Sequence, residues 1–491
     1  MPPHGGFSVP TSLPPPGVFR LCPIQPMDRF LQTLMDGLAV GSLYALIALG
    51  YTMVYGILKF INFAHSDVFV LGAWVSFSIA LTAGFGNTDP VTGEVMMRSI
   101  AAWVWWLAGA VSAVAVLLTL YERVIQARFA ALPRSGAGVP MAVAACWGWS
   151  LIMLVILARA AKMSDTFSFL AGGIILITAM GTCGLVGFSL ERLAYKPLRK
   201  APRLNVLITA IGVSLFLQNV GQLDWMFGTR PQGMPTLLED RVLNRTVIGE
   251  GPLNLIGGGT QITIDQPASL AAGRDYKVEV FSPSGRIANV GIASPLGEYA
   301  AGSGIAISPP ITTSATNLTY KLVRSPSVPI RLVDVVGAGT AVVLMLLLDW
   351  LVYRTKLGRA MRAVSFSPGN AAIMGINVDR VISITFVIGA SLAAAAGFLY
   401  SQKYSGLGQT ASPTWVLLGL KAFVAAVVGG IGNIRGAMLG GILIGLIEFF
   451  SRAYLGEQGP KLSDVVVFSL LIVVLLVRPG GLLGGVATEK V

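Results

Sequence analysis

Apolar runs of about 20 residues recur along the 491-residue chain, with short basic connections between them, and no other feature restricts its folding as much. In hydrocarbon each backbone N–H and C=O must find its partner within its own segment, so runs of this length fold as membrane-crossing α-helices. Spans are expected near 31–58, 67–83, 100–121, 139–161, 166–190, 205–226, 332–352, 382–401, 414–432, 436–452 and 464–478, about eleven in all. Each needs about 20 residues, at a rise of about 1.5 Å, to cross a core of about 30 Å. Charge agrees with this reading. Lys, Arg, Asp and Glu make up 12% of the chain, where soluble domains carry roughly 25%.

The formal net charge is +12, and its basic residues lie in the connections, where a membrane's cytoplasmic face retains them. A lipid bilayer therefore accounts for the charge, and no nucleic-acid partner is expected. Two connections are the most basic: Arg192, Lys196, Arg199, Lys200 and Arg203 in one, and Arg354, Lys356, Arg359, Arg362 and Arg380 in the other. Placing both in the cytoplasm requires an even number of crossings between them, which the spans at 205–226 and 332–352 supply. The N-terminus and residues 227–331 then fall outside and the C-terminus inside. Arg123, Arg128 and Arg134 are also inside, and Asp89 and Glu94 outside, with no span reversed.

The segment 227–331 has no run long enough to cross and is rich in Gly, Pro, Ser and Thr. It alternates apolar and polar residues at Gln261–Asp265, Tyr276–Phe281 and Leu318–Val323, the period-2 signature of half-buried strands. The fold class expected is thus an all-α polytopic membrane protein with a small, mostly β extracytoplasmic insert. Weak alternation at 284–310 leaves a partly disordered loop as the alternative there. Four regions follow: a Pro/Gly-rich disordered tail at 1–26, membrane parts at 27–226 and 332–491, and the insert at 227–331. Both Met1 and Met27 are candidate starts.

Several chemistries lack their residues. No Gly-Lys dipeptide occurs, so there is no P-loop, and any ATP must be used by a partner. His4 and His65 are the two histidines, which excludes H-E-x-x-H and multi-histidine metal sites. No catalytic constellation, metal site or cofactor site is expected. Cys22, Cys146 and Cys183 are odd in number and far apart, and offer no disulfide framework. Asp36, Asp67, Asp224, Asp349 and Glu448 fall near span ends, and each is read as a carboxylate that reaches the interface. Gly432, Gly436 and Gly440 recur every four residues, as do Gly441 and Gly445, a spacing that lets helix backbones approach closely.

The stretch Tyr44 to Trp74, YALIALGYTMVYGILKFINFAHSDVFVLGAW, resembles the first spans of permease subunits of bacterial ABC importers for branched-chain amino acids. So do ERLAYKPLRKAPRLNVLITAIGVSLFLQN at 191–219, GRAMRAVSFSPGNAAIMGINVDRVI at 358–382, VGGIGNIRGAMLGGILIG at 428–445 and VRPGGLLG at 477–484. The blocks resemble the subunit usually encoded first of the two permeases. Members of that type have about 300 residues, a short loop in place of 227–331, and one span where this chain has three before the 191–219 block. Glu122-Arg123 and Pro133-Arg134 repeat the spacing of Glu191-Arg192 and Pro202-Arg203, as a local duplication would. Ser66 and Asp67 stand where the family usually has Gly-Glu.

The resemblance implies a permease in the bacterial inner membrane, with a second permease subunit, two P-loop ATPase subunits and an extracytoplasmic solute-binding protein as partners. The connection 353–381 suits coupling to the ATPase. Ser367 can cap a helix whose first position is Pro368, Asn370, Ala371 and Ala372 lie within it, and Gly375 suits a left-handed stop. Arg359 and Arg362 lie one turn apart beside it. Tyr44, Thr52, Asn62, Thr209, Ser214, Gln218 and Asn219 are candidates for lining a path used by alternating access. The cargo implied is leucine, isoleucine, valine, or a related amino acid, amide or urea. An ATP-independent channel or carrier, or a membrane scaffold for the insert, is the alternative.

Overall fold

The computed structural model describes residues 26–82 and 168–484, apart from Lys200 and short stretches between 225 and 327. The expected spans at 100–121 and 139–161, the tail before Pro26 and the proposed duplication lie outside the described residues. The chain divides into two compact units, one holding Asn244–Pro329 and the other Leu31–Leu243 with Ile330–Val491.

The larger unit is helical. Its helices are α1 (Pro26–Leu58), α2 (His65–Thr82), α3 (Ser168–Leu190), α4 (Arg203–Gly221), α5 (Leu332–Arg354), α6 (Lys356–Phe366), α7 (Pro368–Ile373), α8 (Val378–Lys403), α9 (Pro413–Gly430), α10 (Ile434–Tyr454) and α11 (Gly459–Val477). Eight helices among the described residues are long and apolar enough to cross a bilayer, and His65–Leu81 is a shorter apolar one. At a rise of about 1.5 Å per residue, the 33 residues of α1 extend about 50 Å, more than the hydrocarbon core.

Burial follows composition. α1 is apolar or small on all sides from Ala39 to Val54 and is buried on all of them, as such helices must be. α8 carries the buried run Ala393, Ala394, Ala395 and Ala396 and packs on α2 and α3. By contrast α4, α5 and α11 expose Ile208, Leu215, Phe216, Leu346, Trp350, Val473 and Leu476. Lipid tails are as apolar as these side chains, so helix association here depends on close packing and polar contacts rather than on escape from water. Between α1 and α2 the chain breaks, with Lys59 in the left-handed region at φ 57°.

Residues 227–243 belong to this unit. Phe227, Met234 and Leu237 are buried in its core, and β1 (Gln232–Gly233) pairs with β11 (Gly406–Leu407). Val242 bridges Arg331 in antiparallel fashion, and the Leu243 N–H donates to Ile330 O at 2.9 Å.

The smaller unit is an antiparallel sheet in the order β2-β10-β6-β7-β9-β4-β3, with β5 (Ala268–Leu270) and β8 (Gly297–Tyr299) as a separate pair. The main strands are β2 (Thr246–Pro252), β3 (Asn254–Ile256), β4 (Gln261–Thr263), β6 (Tyr276–Ser282), β7 (Gly285–Ile292), β9 (Gly304–Ser308) and β10 (Thr319–Arg324). All three alternating stretches of the sequence contain strands. Their inward residues, Ile262, Val278, Val280, Tyr320 and Leu322, form its core with Ile305 and Ile307. The weakly patterned 284–310 also forms strands, because pairing of β7 with β6 and of β9 with β4 supplies order that Gly and Ala do not signal locally.

Candidate functional site

The connection after α5 folds into two short helices. Thr355 caps α6, its Oγ1 accepting from the Gly358 N–H at 3.1 Å. Ser367 caps α7, its Oγ accepting from the Asn370 N–H at 3.3 Å, with Pro368 in the first turn. The Gly375 N–H donates to Ala372 O and the Ile376 N–H to Ala371 O, while Gly375 takes φ 82°, which closes the helix as a left-handed stop. Ala371 is buried, so the open surface is formed by Phe366 (92% exposed), Ile373 (85%) and Met374 (81%), with Ala372 beside them. Both arginines are exposed, and Arg362 also donates to Val352 O at the end of α5 and lies over the Tyr353 ring. The arginines therefore differ in kind: Arg362 ties α6 to α5.

The seven polar residues expected along a path divide into separate groups. Tyr44 is buried and donates to Glu448 Oε2 at 2.8 Å. Asn62 is buried and accepts from the Tyr195 hydroxyl at 2.6 Å. Thr209 and Asn219 turn back on their own helix, donating to Asn205 O and Leu215 O. Ser214 and Gln218 come together with Asp67: Gln218 Nε2 donates to Asp67 Oδ1 at 2.8 Å and to Ser214 Oγ at 3.2 Å. Thr52 is buried and its Oγ1 has no hydrogen-bond partner.

Two of the five carboxylates expected to reach the interface do not. Asp67 is 6% exposed and Glu448 1%. Helix packing encloses both, since a carboxylate near a span end is still buried when neighbouring helices extend past it. Glu448 accepts from Lys421 at 2.8 Å, from Tyr44 and from Arg452, and Lys421 Nζ also lies 2.6 Å from Asp464 Oδ1. Asp36 pairs with Lys403, Asp349 pairs with Arg435, and Asp224 is exposed.

Further ion networks escaped the sequence reading. Glu191, on the π-helical turn Glu191–Tyr195, is fully buried and accepts from Arg199 and from Ser383 Oγ, with Arg192 Nε at 3.7 Å. Arg199 and Lys196 also pair with Asp379 near the start of α8. At the other end of α8, Lys403 bridges Asp36 and Asp334. Lys421 was the visible signal: a lone cation inside the apolar run 414–432 must find an anion or leave the membrane core.

The recurring glycines serve two neighbours. A Cβ built on Gly436 would lie 2.4 Å from Gly429 O, and one on Gly440 2.1 Å from Ala425 O, both on α9. On the next face, a Cβ on Gly441 would lie 2.4 Å from Ala45 Cα and one on Gly445 2.4 Å from Gly41 Cα, both on α1. Gly432, at φ 94°, makes the turn from α9 to α10.

A bundle of long apolar helices with small-residue contacts, buried polar bridges and a capped pair of short helices at one end is the architecture of a membrane transport component. The chain belongs to the family described as branched-chain amino acid transport system / permease component, whose model matches residues 33–475. It is 31% identical over 462 residues to the high-affinity branched-chain amino acid transport system permease protein LivH of Escherichia coli K12, covering 94% of this chain and 98% of that one. It is 32% identical over 467 residues, with the same coverages, to the corresponding permease protein BraD of Pseudomonas aeruginosa. A probable LivH of Methanocaldococcus jannaschii is 32% identical over 152 residues, which cover 30% of this chain and 47% of the relative. No solved structure matches.

Proposed function

We propose that this chain is the first-type permease subunit of an ATP-driven importer for branched-chain amino acids, working by alternating access with partner subunits that hydrolyse ATP. The observation that carries this is the capped pair α6 and α7, which leaves Phe366, Ile373 and Met374 open at one end of the bundle. Large apolar side chains so exposed beside basic residues suit a groove on a separate ATPase. The cargo class is taken from the relatives, whose names specify branched-chain amino acids.

The assembly pairs this chain with a second permease, two P-loop ATPases and an extracytoplasmic binding protein, in a bacterial inner membrane. About eleven spans cross it. The connections with Arg199 and Arg359 face the cytoplasm with the C-terminus, and the N-terminus and the β unit within 227–331 face outward, as the distribution of basic residues favours. Alternating access rocks the permease halves about a path near α1, α2 and α4, where Tyr44, Thr52, Asn62, Ser214 and Gln218 supply buried or half-buried polar groups.

Purification of the tagged chain in mild detergent, with identification of the co-purifying chains, tests this. A second permease and P-loop ATPases are expected, with the ATPases lost from Gly375→Arg, which forces a non-glycine residue into a left-handed conformation. Recovery of the chain alone, or ATPases retained by the variant, would overturn the coupling assignment.

A further inference from the structure

Among the described residues of the helical unit, three carboxylates are buried: Asp67, Glu191 and Glu448. Glu191 and Glu448 each have two cations against them, Arg192 and Arg199 for the first, Lys421 and Arg452 for the second. Asp67 has none. Gln218 Nε2 donates to its Oδ1 and the Ser214 hydroxyl also faces the carboxylate, while Oδ2 is buried with no partner in good hydrogen-bond geometry among the described residues. The adjacent imidazole cannot serve, because His65 Nε2 is turned to Ile47 O at 3.2 Å.

An isolated buried charge is unfavourable unless it is paired or neutralised, and in membrane helices such groups concentrate along substrate routes. Asp67 lies in the first turn of α2, where the helix dipole offsets part of that cost but leaves Oδ2 unfilled. The groups facing it from α4, Ser214 and Gln218, are half-buried, and the outer face of α4 exposes Ile208, Leu215 and Phe216. The carboxylate is therefore one side-chain layer behind an open helix. Tyr51, near enough to feel the Asp67 charge, packs edge-on against Phe423, and Phe63 lies near the same ring.

We infer that Asp67 receives the ammonium group of the transported amino acid as it passes α2 and α4. The inference rests on the importer reading and narrows its cargo to solutes with a primary ammonium, in preference to amides or urea. The cargo brings a cation that none of the described residues supplies here, whereas two such cations stand at each of Glu191 and Glu448.

Leucine uptake into proteoliposomes holding the assembled transporter, with its binding protein and internal ATP, provides the test. Asp67→Asn is expected to lower uptake at least about tenfold and Asp67→Glu to restore it to within about threefold, since loss of one partner of a desolvated charge pair is costly. Because the free carboxylate is uncompensated, Asp67→Asn is also expected to keep or raise the thermal midpoint in the absence of leucine. A structural ion-pair member would lower it. Wild-type uptake by Asp67→Asn overturns the inference, as does a loss that Asp67→Glu fails to restore at an unchanged thermal midpoint. Wild-type vesicles that move leucine without ATP would instead overturn the importer reading, and the ammonium assignment with it.

Discussion

Lys421 stands in the middle of α9, 3% exposed, with Glu448 at 2.8 Å and Asp464 at 2.6 Å. Removing one member of a buried pair leaves the other uncompensated at a cost of about 3–5 kcal/mol, whereas replacing both is often close to neutral. Lys421→Met is therefore expected to lower the thermal midpoint sharply, and Lys421→Met with Glu448→Gln to recover much of the loss. Equal losses in the single and double variants would contradict the pairing. The small residues make a second residue-scale case. Gly445→Val places atoms on the Gly41 backbone and is expected to cost about 1–3 kcal/mol, as overpacking does, while Gly172→Ala enters open space and is expected to be neutral. The four-residue glycine spacing was legible in the sequence. Which neighbour each glycine meets was not, because one helix cannot reveal that Gly440 turns to α9 and Gly441 to α1.

Short-range chemistry made α7 readable, since its cap, its proline and its stop all lie within nine residues. Ser367→Ala removes an N-cap worth about 1 kcal/mol and is expected to raise hydrogen exchange over 368–373 and weaken ATPase retention, while Ser367→Asp preserves both. Unchanged exchange in the alanine variant would contradict the cap's role. Which side of α7 is open was not legible in that signal: Ala371 turns inward, and Phe366, Ile373 and Met374 form the open surface. Ion networks at the ends of α8 were illegible for a different reason. Glu191 and Ser383 are 192 positions apart, and their contact depends on how α3 and α8 pack. Asp67 combined both difficulties: its charge was visible, but its burial depends on the contact of α2 with α4, 151 positions away at Gln218.

At the scale of the whole molecule, apolar run length gave the membrane class, and alternation gave the β unit. The limits of that unit needed the structure, since 227–243 packs with the helices while Asn244–Pro329 is compact by itself. Residues 243 and 330 meet through a hydrogen bond, so replacing Asn244–Pro329 by a short Gly-Ser link is expected to leave membrane insertion and the thermal midpoint of the helical unit nearly unchanged. Binding-protein-dependent uptake is expected to fall if the β unit receives that partner. Undiminished uptake would assign the unit another role.

This permease is expected to move branched-chain amino acids only when partner ATPases drive it. Leucine uptake into proteoliposomes loaded with ATP or a non-hydrolysable analogue, using the complex recovered through the tagged chain, measures this. Uptake that requires both hydrolysable ATP and the binding protein is the expected result. Equal uptake with either nucleotide, or by this chain alone, would contradict it.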